Sequence, residues 1–128
     1  MNITREQLLL YAITDRSWLK GETLYEQVEK ALKGGVTLVQ LREKELSEPE
    51  FEAEGRSLLE LCHRYRVPLI INDNVELAER IGADGVHVGQ SDMELTRARE
   101  ILGTDKIIGV TAKTIEQAQA AEKAGADY

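Results

Sequence analysis

One cysteine, two prolines, one tryptophan and one phenylalanine are all that the 128 residues contain, and each scarcity removes a class of protein. With Cys62 alone, neither an intrachain disulfide nor a cysteine-based zinc site can form. Two prolines and no Pro-, Gly- or Ser-rich stretch leave no linker and no low-complexity segment. Positive charge is also in short supply: 16 Lys and Arg stand against 23 Asp and Glu, a net charge of −7. A nucleic-acid backbone or an anionic membrane would call for a clustered basic face, so neither is expected as a partner. A small local anion site remains compatible with that balance. Long apolar runs are missing too. The longest early one, Leu8 to Ile13, is too short for a signal peptide or a membrane span, and the chain reads as cytoplasmic.

What is present is 42% hydrophobic residues, enough for one soluble globular domain over residues 1–128. Short β-branched runs alternate with helical patterns. "LYAITD" precedes a helix with Leu24, Val28, Ala31 and Leu32 on one face. "VTLVQLR" leads to a helix whose stripe is Phe51, Gly55, Leu58, Cys62 and Tyr65, and that spacing of four and three marks Cys62 as a packed core thiol. "VPLIIND" leads to a helix with Val75, Ala78 and Ile81, "DGVHVG" to one with Leu95, Ala98 and Leu102, and "KIIGVTA" to one from Ile115 to Ala124. Gly34 and Gly35, Gly82, Gly103 and Gly125 mark helix ends, while Ser47 to Glu50 and Thr114 to Gln117 fit the capping box. Five βα units with near-continuous apolar strands predict a parallel α/β sheet. A faint repeat recurs in "ALKGGVTLV", "AERIGADGVHV" and "AEKAGADY", and its third copy predicts a sixth strand starting at Tyr128.

In parallel α/β folds, chemistry gathers at the carboxyl ends of the strands. Here those ends carry Thr14-Asp15-Arg16, Gln40 to Lys44, Asn72-Asp73, His87 to Asp92, and Thr111-Ala112-Lys113. Each has an ordinary explanation. Asp73, Asn74 or Asp92 could cap a helix. Gln40, Arg42 and Lys44 could be a solvated strand edge, His87 a hydrogen-bonded core histidine, and Thr111 strand filler. Their coincidence at one end of consecutive strands favours a magnesium-held di- or polyphosphate, with hard oxygen ligands for the metal and cations for the remaining charge. No P-loop, GxGxxG, HExxH or GxSxG motif competes.

The segments "YAITDR", "GGVTLVQLREK", "LIINDNVELAERIGADGVHVGQSD" and "IIGVTAKTIEQAQAAEKAGADY" resemble the first five βα units of the thiamine phosphate synthase family. The motifs Q-x-R-E-K, I-N-D and H-V-G-Q-x-D carry that likeness. It implies a TIM-type (β/α)8 barrel, truncated here after its fifth unit, and a transferase of thiamine biosynthesis. The implied reaction is the Mg2+-dependent joining of hydroxymethylpyrimidine diphosphate to a thiazole phosphate, with release of pyrophosphate. By motif, Gln40, Arg42 and Lys44 would hold the pyrimidine diphosphate with help from Asn72, and Asp73 and Asp92 would hold Mg2+. His87 would lie near the pyrimidine, and Thr111 would contact phosphate.

The chain departs from the family in two ways. Thr111 and Lys113 stand where the family has Ser and His, and the later strands, with the acceptor-phosphate site, are missing. A full barrel takes roughly 250 residues. Five units would leave an open edge prone to self-association. A non-catalytic half-barrel that binds the diphosphate or pairs with another copy is therefore an alternative. A thiazole tautomerase-like relative is another, although such relatives tend to lose the Asn-Asp and Gln-x-Asp set retained here.

Overall fold

A computed structural model describes all residues from 1 to 128. Five parallel strands lie in chain order: β1 (Tyr11–Ile13), β2 (Leu38–Leu41), β3 (Leu69–Asn72), β4 (Gly85–Val88) and β5 (Ile107–Val110). Each is followed by a helix on the outer face: α1 (Leu24–Lys33), α2 (Glu48–Arg64), α3 (Val75–Ile81), α4 (Leu95–Leu102) and α5 (Ile115–Lys123). A single 3-10 turn, Arg16–Trp18, follows β1. This is the α/β architecture that the alternating patterns predict. No helix is long and apolar enough to cross a membrane.

Period-two alternation sends the strand side chains to two cores. Val39, Leu41, Ile71, Val86, Val88 and Ile108 face the helices and join the main cluster of 22 buried residues. Leu38, Ile70 and Ile107 face the other way and pack with Ile3, Tyr11 and Tyr128. The inner face is thus partly covered. The amino terminus crosses to it, and Asn2 holds the crossing by donating its backbone N–H to Asp127 (2.7 Å) and its amide to the carbonyls of Thr104 (2.7 Å) and Lys106 (2.9 Å).

Helix α2 buries Phe51, Gly55, Leu58, Leu61 and Cys62. Burial, with Asp84 adding to it, pushes the Cys62 thiol up to about 12, so it stays protonated as a core group. The capping box at Ser47 is complete. At Thr114 only half of it forms: Thr114 accepts from Gln117 N, but the Gln117 side chain turns to the backbone N–H of Lys113 instead.

The faint repeat has a physical basis. In each copy the residue before the strand exchanges two hydrogen bonds with one residue of the preceding chain segment. Thr37 N–H donates to Leu10 O (2.9 Å) while Thr37 Oγ1 accepts from Leu10 N–H (2.9 Å). Asp84 does the same with Leu69 (3.1 and 2.7 Å), and Asp127 with Ile108 (2.8 and 2.9 Å). Gly82 and Gly125, both at positive φ, turn the chain out of α3 and α5 and into these positions. Tyr128, at the predicted start of a sixth strand, accepts at its carbonyl from Val110 N–H.

Candidate active site

The polar residues named at the strand ends do converge. Asp73 follows β3 in the left-handed region (φ 73°), a conformation that costs a non-glycine residue energy and is often kept for function. It is not the cap of α3, because Asn74 accepts from Leu77 N–H at 3.0 Å in that role. Nor does Asp92 cap α4. The N-cap there is Glu94, without a side-chain bond, while Asp92 accepts from Gly89 N–H at 2.7 Å within its own loop. Both carboxyl groups are therefore free to line the same cavity, where they act on each other. The neighbouring Asp92 carboxyl, with burial adding, raises the pKa of Asp73, while Asp73 and the Gly89 N–H lower that of Asp92.

Lys44 stands beside this pair, 3.9 Å from Asp73 Oδ2, and donates to Asn72 Oδ1 at 3.1 Å. From there a chain of hydrogen bonds runs across the inner face. Asn72 Nδ2 donates to Gln40 Oε1 (2.8 Å), and Gln40 Nε2 donates to the Tyr11 hydroxyl (2.9 Å). Tyr11 pairs with the Tyr128 hydroxyl, which lies 3.3 Å from His87 Nδ1, and His87 Nε2 pairs with Thr111 Oγ1 at 2.8 Å. Alternation explains the shared face: Asn72, His87 and Gly109 stand level across β3, β4 and β5, Gln40 lies level with Ile70 two residues behind on the same face, and Gly109 leaves room for Tyr128, whose ring an added Cβ would approach to 2.2 Å. Burial lowers the pKa of His87, with Asp92 opposing, so a neutral imidazole sits between the two hydroxyls. Burial also raises the pKa of both tyrosines, which keep their protons.

Two cavities flank this chain and share Asn72. The first, about 500 Å3, is floored by Gln40, Asn72, His87 and Thr111 and walled by Arg42 and Trp18. The second, about 670 Å3, holds Lys44, Asp73, Asp92 and Ser91. Lys113 lines neither. Sequence reasoning missed Tyr11, Tyr128 and Trp18. Tyr11 lies inside its strand rather than at the end, where polar residues were sought. Tyr128 and Trp18 enter only through tertiary approach. A further group lies behind Arg42. Arg16 donates to Glu43 (2.6 Å) and pairs with Glu54, tying the turn after β1 to β2 and α2.

A parallel α/β half-barrel with its polar groups at the strand carboxyl ends has the layout of the barrel enzymes that bind small anionic molecules. Comparison narrows this further: the chain belongs to the thiamine monophosphate synthase family, whose family model matches residues 10–128. It is 56% identical over 119 residues to the thiamine-phosphate synthase of Clostridium acetobutylicum, covering 93% of this chain and 56% of that one. It is 52% identical over 124 residues to that of Caldanaerobacter subterraneus subsp. tengcongensis, covering 97% and 58%. The solved thiamine phosphate pyrophosphorylase from Pyrococcus furiosus superposes with a TM-score of 0.88 at 41% identity, covering 97% of this chain and 59% of that one. The chain thus spans somewhat more than half the length of the relatives it matches.

Proposed function

We propose that this chain carries the donor half of a thiamine phosphate synthase, the part that binds hydroxymethylpyrimidine diphosphate for transfer to a thiazole phosphate. The carrying observation is that Asp73 and Asp92 line one cavity with Lys44, which stands 3.9 Å from Asp73 and donates to Asn72. This donor set suits Mg2+. Two hard carboxylates side by side are what that ion takes from a protein when its other ligands are waters and substrate phosphates, and no cluster of three or more metal-ligating side chains offers an all-protein cage.

In this reading Asp73 and Asp92, both ionised, would hold the metal. Lys44 and Arg42 balance the charge of the diphosphate, and the Thr111 hydroxyl is offered to phosphate. Gln40 and Asn72, fixed by their mutual hydrogen bond, orient the pyrimidine edge. When bound, magnesium stabilises the negative charge on the departing pyrophosphate. The methylene–oxygen bond breaks with its electron pair leaving on pyrophosphate, and the thiazole nitrogen lone pair forms the new carbon–nitrogen bond. His87, held neutral, places no opposing positive charge beside a methylene that becomes cationic. No nucleophilic side chain is needed, and positioning supplies much of the rest.

Calorimetry with inorganic pyrophosphate tests the reading. Binding should require Mg2+ and weaken as the pH falls into the carboxylate range, where Asp73, its pKa raised, is the first of the two to be protonated. Because Lys44 is half exposed, Lys44→Ala should lose about tenfold in affinity, in line with about 1.5 kcal/mol for a hydrogen bond to a charged group. Binding that is indifferent to both Mg2+ and Lys44→Ala would sink the proposal.

A further inference from the structure

Trp18 is the only tryptophan in the chain, and its side chain is 67% exposed although burial would stabilise so large an apolar group. It lines the wall of the inner cavity whose floor is Gln40, Asn72, His87 and Thr111. Its backbone is firmly held. Asp15 Oδ1 accepts from both Ser17 N (2.9 Å) and Ser17 Oγ (2.6 Å), Trp18 N–H donates to Asp15 O (3.2 Å), and Gln27 Nε2 donates to Trp18 O (3.3 Å). Leu19 packs against the main core, and Arg16 is tied to Glu43 and Glu54. An exposed indole on so constrained a backbone is pre-organised, which limits the entropy lost when it meets a ligand.

The floor groups can satisfy the polar edge of a flat molecule, but none offers an aromatic face wide enough for its plane. Tyr11, the tyrosine that lines the cavity, is engaged edge to face at 5.6 Å with Tyr128, which also leans on His87. We propose that Trp18 is the stacking wall of this cavity, binding the planar heteroaromatic ring of a ligand whose anionic group lies at Lys44, Asp73 and Asp92. The ligand's placement rests on the donor-site reading above. The role of Trp18 is additional to it.

The lone tryptophan supplies its own reporter. Three probes are titrated in the presence of Mg2+ by intrinsic fluorescence and calorimetry: hydroxymethylpyrimidine diphosphate, the unphosphorylated hydroxymethylpyrimidine, and inorganic pyrophosphate. The two pyrimidines should quench Trp18 emission and pyrophosphate should not. Trp18→Ala should weaken the pyrimidine diphosphate about tenfold, as loss of one base–aromatic stack does. It should leave pyrophosphate unchanged, and Trp18→Phe should recover most of the loss. If Trp18→Ala weakens all anionic probes equally, or none, the stacking role is overturned. Should the wild type fail to bind pyrophosphate while the unphosphorylated pyrimidine still quenches Trp18, the donor-site reading falls and the stacking wall stands. If no probe changes Trp18 emission, the stacking wall falls, whatever pyrophosphate does.

Discussion

Helices α2 and α5 hold equivalent places in their βα units, and each begins with a hydroxyl residue accepting from the third helical N–H. Their burial differs completely. Helix α2 lies between α1 and α3 and buries five residues, four of them from its stripe, whereas α5 buries none and leaves Ile115 74% exposed. A groove of about 250 Å3, lined by Val88, Met93, Leu95, Ala120, Ala121 and Ala124 among others, separates α5 from α4. Capping and propensity suffice to start a helix. A stripe becomes core only when neighbours stand on both sides, and small alanines make a poor filling when one side is open.

The largest test of this contrast is Leu58→Ala in α2. Its side chain is fully enclosed, and its removal should cost about 2–5 kcal/mol in urea unfolding. A cost below about 1 kcal/mol would mean that α2 is no better packed than α5. A smaller effect of opposite sign is expected in the groove. Ala121→Leu should fill space and stabilise by about 0.5–1.5 kcal/mol, as cavity-filling changes commonly do. The same kind of enlargement in α2 should do harm, because a Cβ added at Gly55 would lie 2.9 Å from Ile81 Cδ1. If Ala121→Leu destabilises, the groove is tighter than described and the contrast fails.

The smallest effect concerns the outward reach of α2. Burial first, and then the neighbouring Glu43, push Glu54 up to about 7 against the pull of Arg16. A carboxyl whose folded pKa is raised favours folding at low pH, and that contribution is lost as the pH rises through about 7. Glu54→Gln should therefore leave the melting temperature nearly unchanged at pH 5 and raise it slightly at pH 8. A loss at pH 8 would show that the ionised Glu54–Arg16 pair stabilises the turn.

The strands and helices were legible because each obeys a local period. The apolar stripes of α1 to α4 follow from residue spacing alone, as does the outward or inward sense of Val39 and Gln40. Asp73 and Asp92 were legible as a candidate pair because both close a strand, yet either was equally readable as a helix cap. Only the takeover of that role by Asn74 at α3, and the turning of Asp92 onto Gly89 N–H, set them apart. The Tyr11–Tyr128 contact joins residues 117 positions apart, and no period connects them. The raised Glu54 likewise depends on burial and on the approach of Glu43 from the loop before α2, neither of which a helical period reveals.

The paired bonds at Thr37, Asp84 and Asp127 have a consequence for assembly. A hairpin sets the alignment of antiparallel neighbours through its turn, but parallel neighbours joined by a long crossover have no such gauge. Here one polar residue engages both groups of a single residue in the segment already in place: its side chain accepts from that residue's N–H, and its own backbone N–H donates to that residue's C=O. An arrival offset by one residue would leave that N–H without its acceptor and turn the strand's apolar side chains to the wrong face. Each clasp thus acts as an alignment key, favouring the one register in which its two bonds can both form.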